Sequence, residues 1–195
     1  MTRIVAGAAR GRRLAVPPGR STRPTSDRAR EGLFSALEAA LGSLAGARVL
    51  DLYAGSGAVG LEAVSRGAAA VTLVESDRRA AEVIRANAAV VAPDRARVVA
   101  APVSRWLQGA SGPAYDVVFL DPPYDLPDAT VMAVLTGLAE RSLLGPGAIV
   151  VLERATRAGE PAWPPGFTGE RSRRYGEATL GYGRAAGAPA EPSDQ

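Results

Sequence analysis

The stretch Arg48-Val-Leu-Asp51-Leu-Tyr-Ala-Gly55-Ser-Gly57-Ala-Val-Gly60 decides the fold. An apolar run of strand length feeds a turn with glycines at G-x-G-x-x-G spacing, and a helical pattern follows over about 57–66. Glycine lets the backbone reverse tightly and lets strand and helix approach closely, so this order reads as the start of a βαβ unit.

Working outward, the alternation continues. Strands are expected over 71–75, 97–101, 115–120 and 148–153. Between them fall a helix from an Asp77 cap to about Val91, one around 103–107, and one over 128–142 with a turn at Gly145-Pro-Gly147. Phe167 to Gly183 reads as a hairpin turning near Gly176-Glu177. Upstream, Thr25 or Ser26 caps a helix with Leu33, Phe34, Leu37 and Leu41 at helical spacing, ended by Gly42 and Gly46. Strand–helix alternation predicts an α/β, Rossmann-like, doubly wound sheet whose last strands form an antiparallel hairpin. The chain divides into a basic N-terminal arm (1–24), a catalytic domain (25–184) and a disordered tail (185–195). In the arm, Ile4-Val5 and Leu14-Ala-Val16 are short strand-like patches.

Composition removes several chemistries. The 195 residues include no Cys and no His. Disulfides, thiolate metal sites, cysteine nucleophiles and the commonest general base are therefore excluded, and no metal is expected. No apolar run reaches membrane-span length and no signal core opens the chain, so a cytoplasmic protein is expected. The net charge of +3 is uneven. Residues 1–30 carry eight arginines against Asp27, a balance of +7; the remaining 15 arginines face 19 acids, a balance of −4. A basic arm on an acidic body suits a polyanionic partner. Arg3, Arg10, Arg12, Arg13 and Arg23 are its candidate nucleic-acid contacts.

The glycine turn alone is ambiguous. Glu75 closes the next strand 20 residues after Gly55, where an acid accepts ribose hydroxyls of a dinucleotide as readily as of another nucleoside. A nicotinamide-dependent oxidoreductase is therefore an alternative. Asp51 argues against it, because a carboxylate just before the glycines would crowd a pyrophosphate. It suits a ligand with a cationic amino-acid end, and S-adenosylmethionine has both an ammonium and a sulfonium. Tyr53, Ala54, Gly55, Ser56 and Gly57 would line that ligand, with Pro102 and Val103 beside an adenine ring. Ala100-Ala101-Pro102 offers no acid to the adenine amine.

Asp121-Pro122-Pro123-Tyr124 ends the fourth strand at the same crevice. Two prolines stiffen the backbone. The Asp121 carboxylate and the Pro122 carbonyl can then grip one NH₂ group, while Tyr124 offers a flat face to an extruded base. That is the requirement for methylating an exocyclic base amine, which needs orientation more than a strong base. Methylation at pyrimidine carbon 5 is excluded by the missing Cys.

Five segments in order carry a family resemblance: Arg3-Ile-Val with Arg10-Gly-Arg, Arg23-Pro-Thr-Ser-Asp-Arg28-Ala-Arg-Glu31, Asp51-Leu-Tyr-Ala-Gly-Ser-Gly57, Asp121-Pro-Pro-Tyr124 and Tyr175-Gly-Glu-Ala-Thr179. Over roughly residues 3–183 the chain resembles the RsmD family, bacterial 16S rRNA guanine-N2 methyltransferases that modify guanine 966. The resemblance implies a seven-stranded sheet and S-adenosylmethionine as donor. It puts Asp121 and Tyr124 at the target amine, and a partly or fully assembled small ribosomal subunit as the partner of a monomer. It also implies that the segment around Thr25 closes over the cofactor's amino-acid end. N6-adenine methylation of DNA or another RNA is the alternative within the same chemistry.

Overall fold

The computed structural model describes residues 2–17 and 27–186. Its elements are β1 (Thr2–Arg3), β2 (Arg13–Leu14), α1 (Asp27–Leu41), β3 (Arg48–Leu52), α2 (Ala58–Ser65), β4 (Ala70–Glu75), α3 (Arg78–Val91) and β5 (Ala96–Ala100). They continue with α4 (Val103–Gly109), β6 (Tyr115–Leu120), α5 (Asp128–Glu140), β7 (Leu144–Ala155), β8 (Phe167–Tyr175) and β9 (Ala178–Ala185). The proposed caps Thr25 and Ser26, and Arg23, lie outside the described residues. No described helix is long and apolar enough to cross a membrane.

Seven strands form one sheet in the order β5-β4-β3-β6-β7-β9-β8. β5 through β7 are parallel, and β9 runs antiparallel to both its neighbours. Alternate residues feed two cores, as expected where both faces are covered. Val49, Leu73, Phe119 and Val151 pack with α1, α2 and α3, while Leu50, Val74, Leu120 and Leu152 pack with α4 and α5. The chain leaves β3 toward β4 on one side and returns as β6 on the other. That reversal opens a crevice at the strands' carboxyl ends.

The Asp77 cap is realised, its side chain accepting from the Ala80 amide at 2.8 Å. Gly145-Pro-Gly147 differs from the expected turn. It lies inside β7, where the register slips between the Tyr115/Leu144 and Val117/Ile149 pairs. Pro146 has no amide hydrogen to give, and Gly147 sits at φ 70°, so the segment leaves the ladder as a bulge. The reversal is made earlier, at Arg141-Ser142, with Ser142 at φ 53°. The C-terminal hairpin lacks a helix over its outer face. Pro161 and Trp163 cover it, and a Cβ built on Gly181 or Gly183 would lie 2.6 Å from Pro161 or 2.7 Å from the Trp163 ring.

β1 and β2 pair antiparallel; β1 ends just before the Ile4-Val5 patch, and β2 overlaps the second patch at Leu14. This N-terminal hairpin is docked. Ile4 and Leu14 are buried in the α1–α3 core. Glu62 of α2 accepts from the Val5 and Ala6 amides at 2.7 and 2.8 Å. Asn87 of α3 exchanges two hydrogen bonds with Ala15. Beneath them lies Arg30, 1 % exposed. It donates to the Thr2 hydroxyl at 3.0 Å, the Arg3 carbonyl at 2.5 Å and Asp27 at 2.8 Å, and its Nε is 3.7 Å from Glu62. Burial lowers its pKa, and Glu62 and Asp27 oppose that.

Candidate functional site

The crevice is lined first by the glycine turn. Tyr53 (φ 61°), Gly55 (φ 59°) and Gly57 (φ 76°) all take left-handed conformations, coiling the backbone between β3 and α2. At Gly57 any other residue would be strained, and its Cβ would also press Ile84 and Leu73 at 3.0 and 3.1 Å. Gly60 brings α2 onto the sheet: a Cβ there would meet Val71 at 2.8 Å and Leu73 at 2.9 Å.

Asp51 is 2 % exposed and turns into the first turn of α2, where one oxygen accepts from the Gly60 amide at 2.8 Å. Burial pushes its carboxyl up to about 8; the Gly60 hydrogen bond opposes this and the neighbouring Glu75 charge adds to it. Its second oxygen takes no hydrogen bond among the described residues. Glu75, 1 % exposed, ties the next strand to the turn: one oxygen accepts from Gly55 N at 2.9 Å, the other from Asp77 N at 2.8 Å. Pro102 and Val103 sit beside it, since the Ala101 amide donates to the Glu75 carbonyl at 3.0 Å. The structure thus brings Asp51, Tyr53–Gly57, Glu75, Pro102 and Val103 to one end of the sheet.

Asp121 joins them through its amide, which donates to the Leu52 carbonyl at 3.3 Å. Pro122 is buried and Asp121 half-buried, whereas Tyr124 is 55 % exposed. Leu126 N donates to the Pro123 carbonyl at 2.9 Å, closing the loop. Arg154 anchors that loop from β7, donating to the Leu126 carbonyl at 3.2 Å and to Asp128 at 2.6 Å. Sequence reasoning missed Arg154. The available signal was a charged pair, Glu153-Arg154, ending an otherwise apolar strand.

The arm's arginines are spread out. Arg3 pairs with Asp27 at 3.2 Å. Arg13 lies opposite Arg3 in the hairpin. Arg10 and Arg12 are near its tip, where the Ala8 and Ala9 amides donate to Ser65 at the far end of α2. The eight residues of α2 span about 12 Å, so the tip is a helix length from the crevice. Arg23 and Thr25 lie outside the described residues.

The residues fit S-adenosylmethionine. The turn leaves a backbone cradle, Glu75 sets a carboxylate beside it, and Asp51 is an under-compensated buried acid suited to a cation. Set beside Asp121-Pro-Pro-Tyr124, the crevice can hold a cofactor and an amine side by side.

The family model described as conserved hypothetical protein 95 matches residues 2–184. The chain is 36 % identical over 175 residues to ribosomal RNA small subunit methyltransferase D of Escherichia coli (strain K12), covering 90 % of this chain and 85 % of the relative. The protein of the same name from Haemophilus influenzae is 37 % identical over 154 residues, 77 % of each chain. Among solved structures, yhhF from Escherichia coli, described as a candidate methyltransferase, superposes with TM-score 0.83 at 32 % identity, over 95 % of this chain and 98 % of that one. The chain belongs to the conserved hypothetical protein 95 family, the RsmD family of small-subunit ribosomal RNA methyltransferases.

Proposed function

We propose that the protein methylates the exocyclic N2 amine of a guanine in 16S rRNA, with S-adenosylmethionine as donor. The observation that carries this reading is the meeting of the Asp51–Glu75 cradle with the Asp121-Pro-Pro-Tyr124 corner at one point of the sheet. Family likeness supports guanine 966 as the target, within a partly or fully assembled small subunit, and a monomeric cytoplasmic enzyme.

The cofactor supplies an electrophilic methyl group on a sulfonium. Glu75 would hold the ribose diol and Asp51 would lend negative charge to the cationic amino-acid end, while Pro102 and Val103 would pack on the adenine. Asp121 and the Pro122 carbonyl accept the two amine hydrogens, which turns the nitrogen lone pair toward the methyl carbon. Tyr124 stacks on the extruded base. As the nitrogen becomes cationic, the Asp121 carboxylate stabilises it and the proton leaves along that hydrogen bond; no imidazole is required.

Tritium-methyl transfer onto unmodified small subunits, followed by nucleoside analysis, tests the reading. N2-methylguanosine is the expected product. N6-methyladenosine, or no transfer to rRNA by cofactor-saturated protein, would overturn it.

A further inference from the structure

A second positively charged feature lies on the same rim as the Asp121 corner, toward the β8 edge of the sheet. Leu120 is level with Leu152, and three residues later Ala155 is level with Ala178, which pairs with Tyr175. The end of β8 therefore faces the same way as the end of β6. It lies three strands over, about 14 Å. There Arg28, Arg174, Tyr175 and Gly176 line an open cavity of about 430 Å³, and no acid lines it among the described residues.

The arginines here are uncommitted. Arg3, Arg30, Arg66, Arg154 and Arg184 each meet a carboxylate. Arg28, Arg173 and Arg174 make no such bond among the described residues, and all three are exposed. The ring of Tyr175 is held in place by α1: a Cβ added at Gly32 would lie 2.2 Å from its hydroxyl oxygen. Two free guanidinium groups flanking a seated aromatic ring form a site for a phosphodiester strand with unstacked bases.

We propose that this cavity is a second RNA-contact site, in which Arg28 and Arg174 bind phosphates flanking the target nucleotide and Tyr175 stacks on a neighbouring base. The inference rests on the rRNA methyltransferase reading. With the two-residue offset along the strands added, the distance from Asp121 corresponds to about five stacked nucleotides, so one strand reaches both places. Arg10 and Arg12, near the hairpin tip beside the far end of α2, would meet a different part of the RNA.

The test uses the full chain and an unmodified small-subunit rRNA fragment, with binding measured across a salt series. The Arg28→Ala/Arg174→Ala double variant should bind about 10- to 100-fold more weakly at 0.1 M salt, with the logarithmic salt slope flatter by about 2. The Arg28→Lys/Arg174→Lys counterpart should recover the slope, and cofactor affinity by calorimetry should be unchanged in both. Tyr175→Phe should bind like the parent, and Tyr175→Ala should not. If the double alanine variant binds with parental affinity and slope while the parent still methylates rRNA, the second site is wrong and the catalytic reading stands. If the parent neither binds nor methylates rRNA, both fall.

Discussion

Asp51 joins two demands on one carboxylate: it holds the first turn of α2 through Gly60, and it faces the crevice with a charge that burial opposes. Its folded pKa, about 8, stands above the ordinary value of 3.8. From about pH 4 to 8 the folded protein therefore holds more protons than the unfolded chain, so this group's contribution to stability falls as pH rises and levels off above 8. Asp51→Asn keeps an acceptor for Gly60 and removes that trend. Denaturant unfolding at pH 5 and pH 8 should show a smaller loss in the variant than in the parent; equal losses would refute the assignment. A cationic ligand draws Asp51 back to carboxylate, so S-adenosylmethionine affinity should rise from pH 6 to 8 in the parent and be weaker and flatter in the variant, as calorimetry would read. In the proposed mechanism Asp121 acts on the target amine instead. Asp121→Ala should slow single-turnover methyl transfer about 10²–10³-fold with cofactor binding intact, and Tyr124→Phe should be far milder than Tyr124→Ala. Normal transfer by Asp121→Ala would place the amine elsewhere.

Among the elements, the N-terminal hairpin owes its position to Glu62, which serves two amides, Arg30 and Arg66 together. Glu62→Ala leaves Arg30 buried with Asp27 as its one carboxylate. Loss of one partner of a buried pair costs about 3 kcal/mol or more, roughly 6–12 °C in Tm for a chain of this size. Calorimetric melting should show that drop, and limited proteolysis should cut the hairpin first; an unchanged Tm would refute the staple. The local sequence marks Glu62 only as an i,i+4 partner of Arg66; the two amides it holds are 57 and 56 residues away, and its helix otherwise reads as an ordinary apolar segment. The strands and helices around the glycine turn were legible for the opposite reason, since periodicity and turn chemistry act within a few residues. The Gly145-Pro-Gly147 bulge was missed because glycine and proline mark both turns and ladder breaks, and β6 alone decides between them. At the site, Asp51, Glu75 and Asp121 were legible as strand-end acids after a glycine turn. Arg154 and the Tyr175 cavity were not, because each is assembled from strands joined only in the folded sheet.

Across the whole molecule, charge is sorted by position. The hairpin flank presents Arg10 and Arg12 at its tip and Arg13 nearer its base, opposite Arg3, and α1 with β8 presents the exposed Arg28, Arg173 and Arg174. Replacing Arg10, Arg12 and Arg13 together should flatten the salt dependence of RNA binding by about 2–3 and leave cofactor affinity unchanged; parental salt dependence would show that the flank carries no RNA. The order β7-β9-β8 has a further consequence, in time rather than space. β9 lies between β7 and β8 but is made after both, so β7 keeps an open edge until residue 185 has been made. Synthesis at about 5–20 residues per second leaves that edge unpaired for a few seconds after β7 is complete. A message broken off before β9 would yield a chain whose catalytic corner is present but whose sheet ends in a bare apolar strand, a species fit for aggregation and degradation rather than methylation.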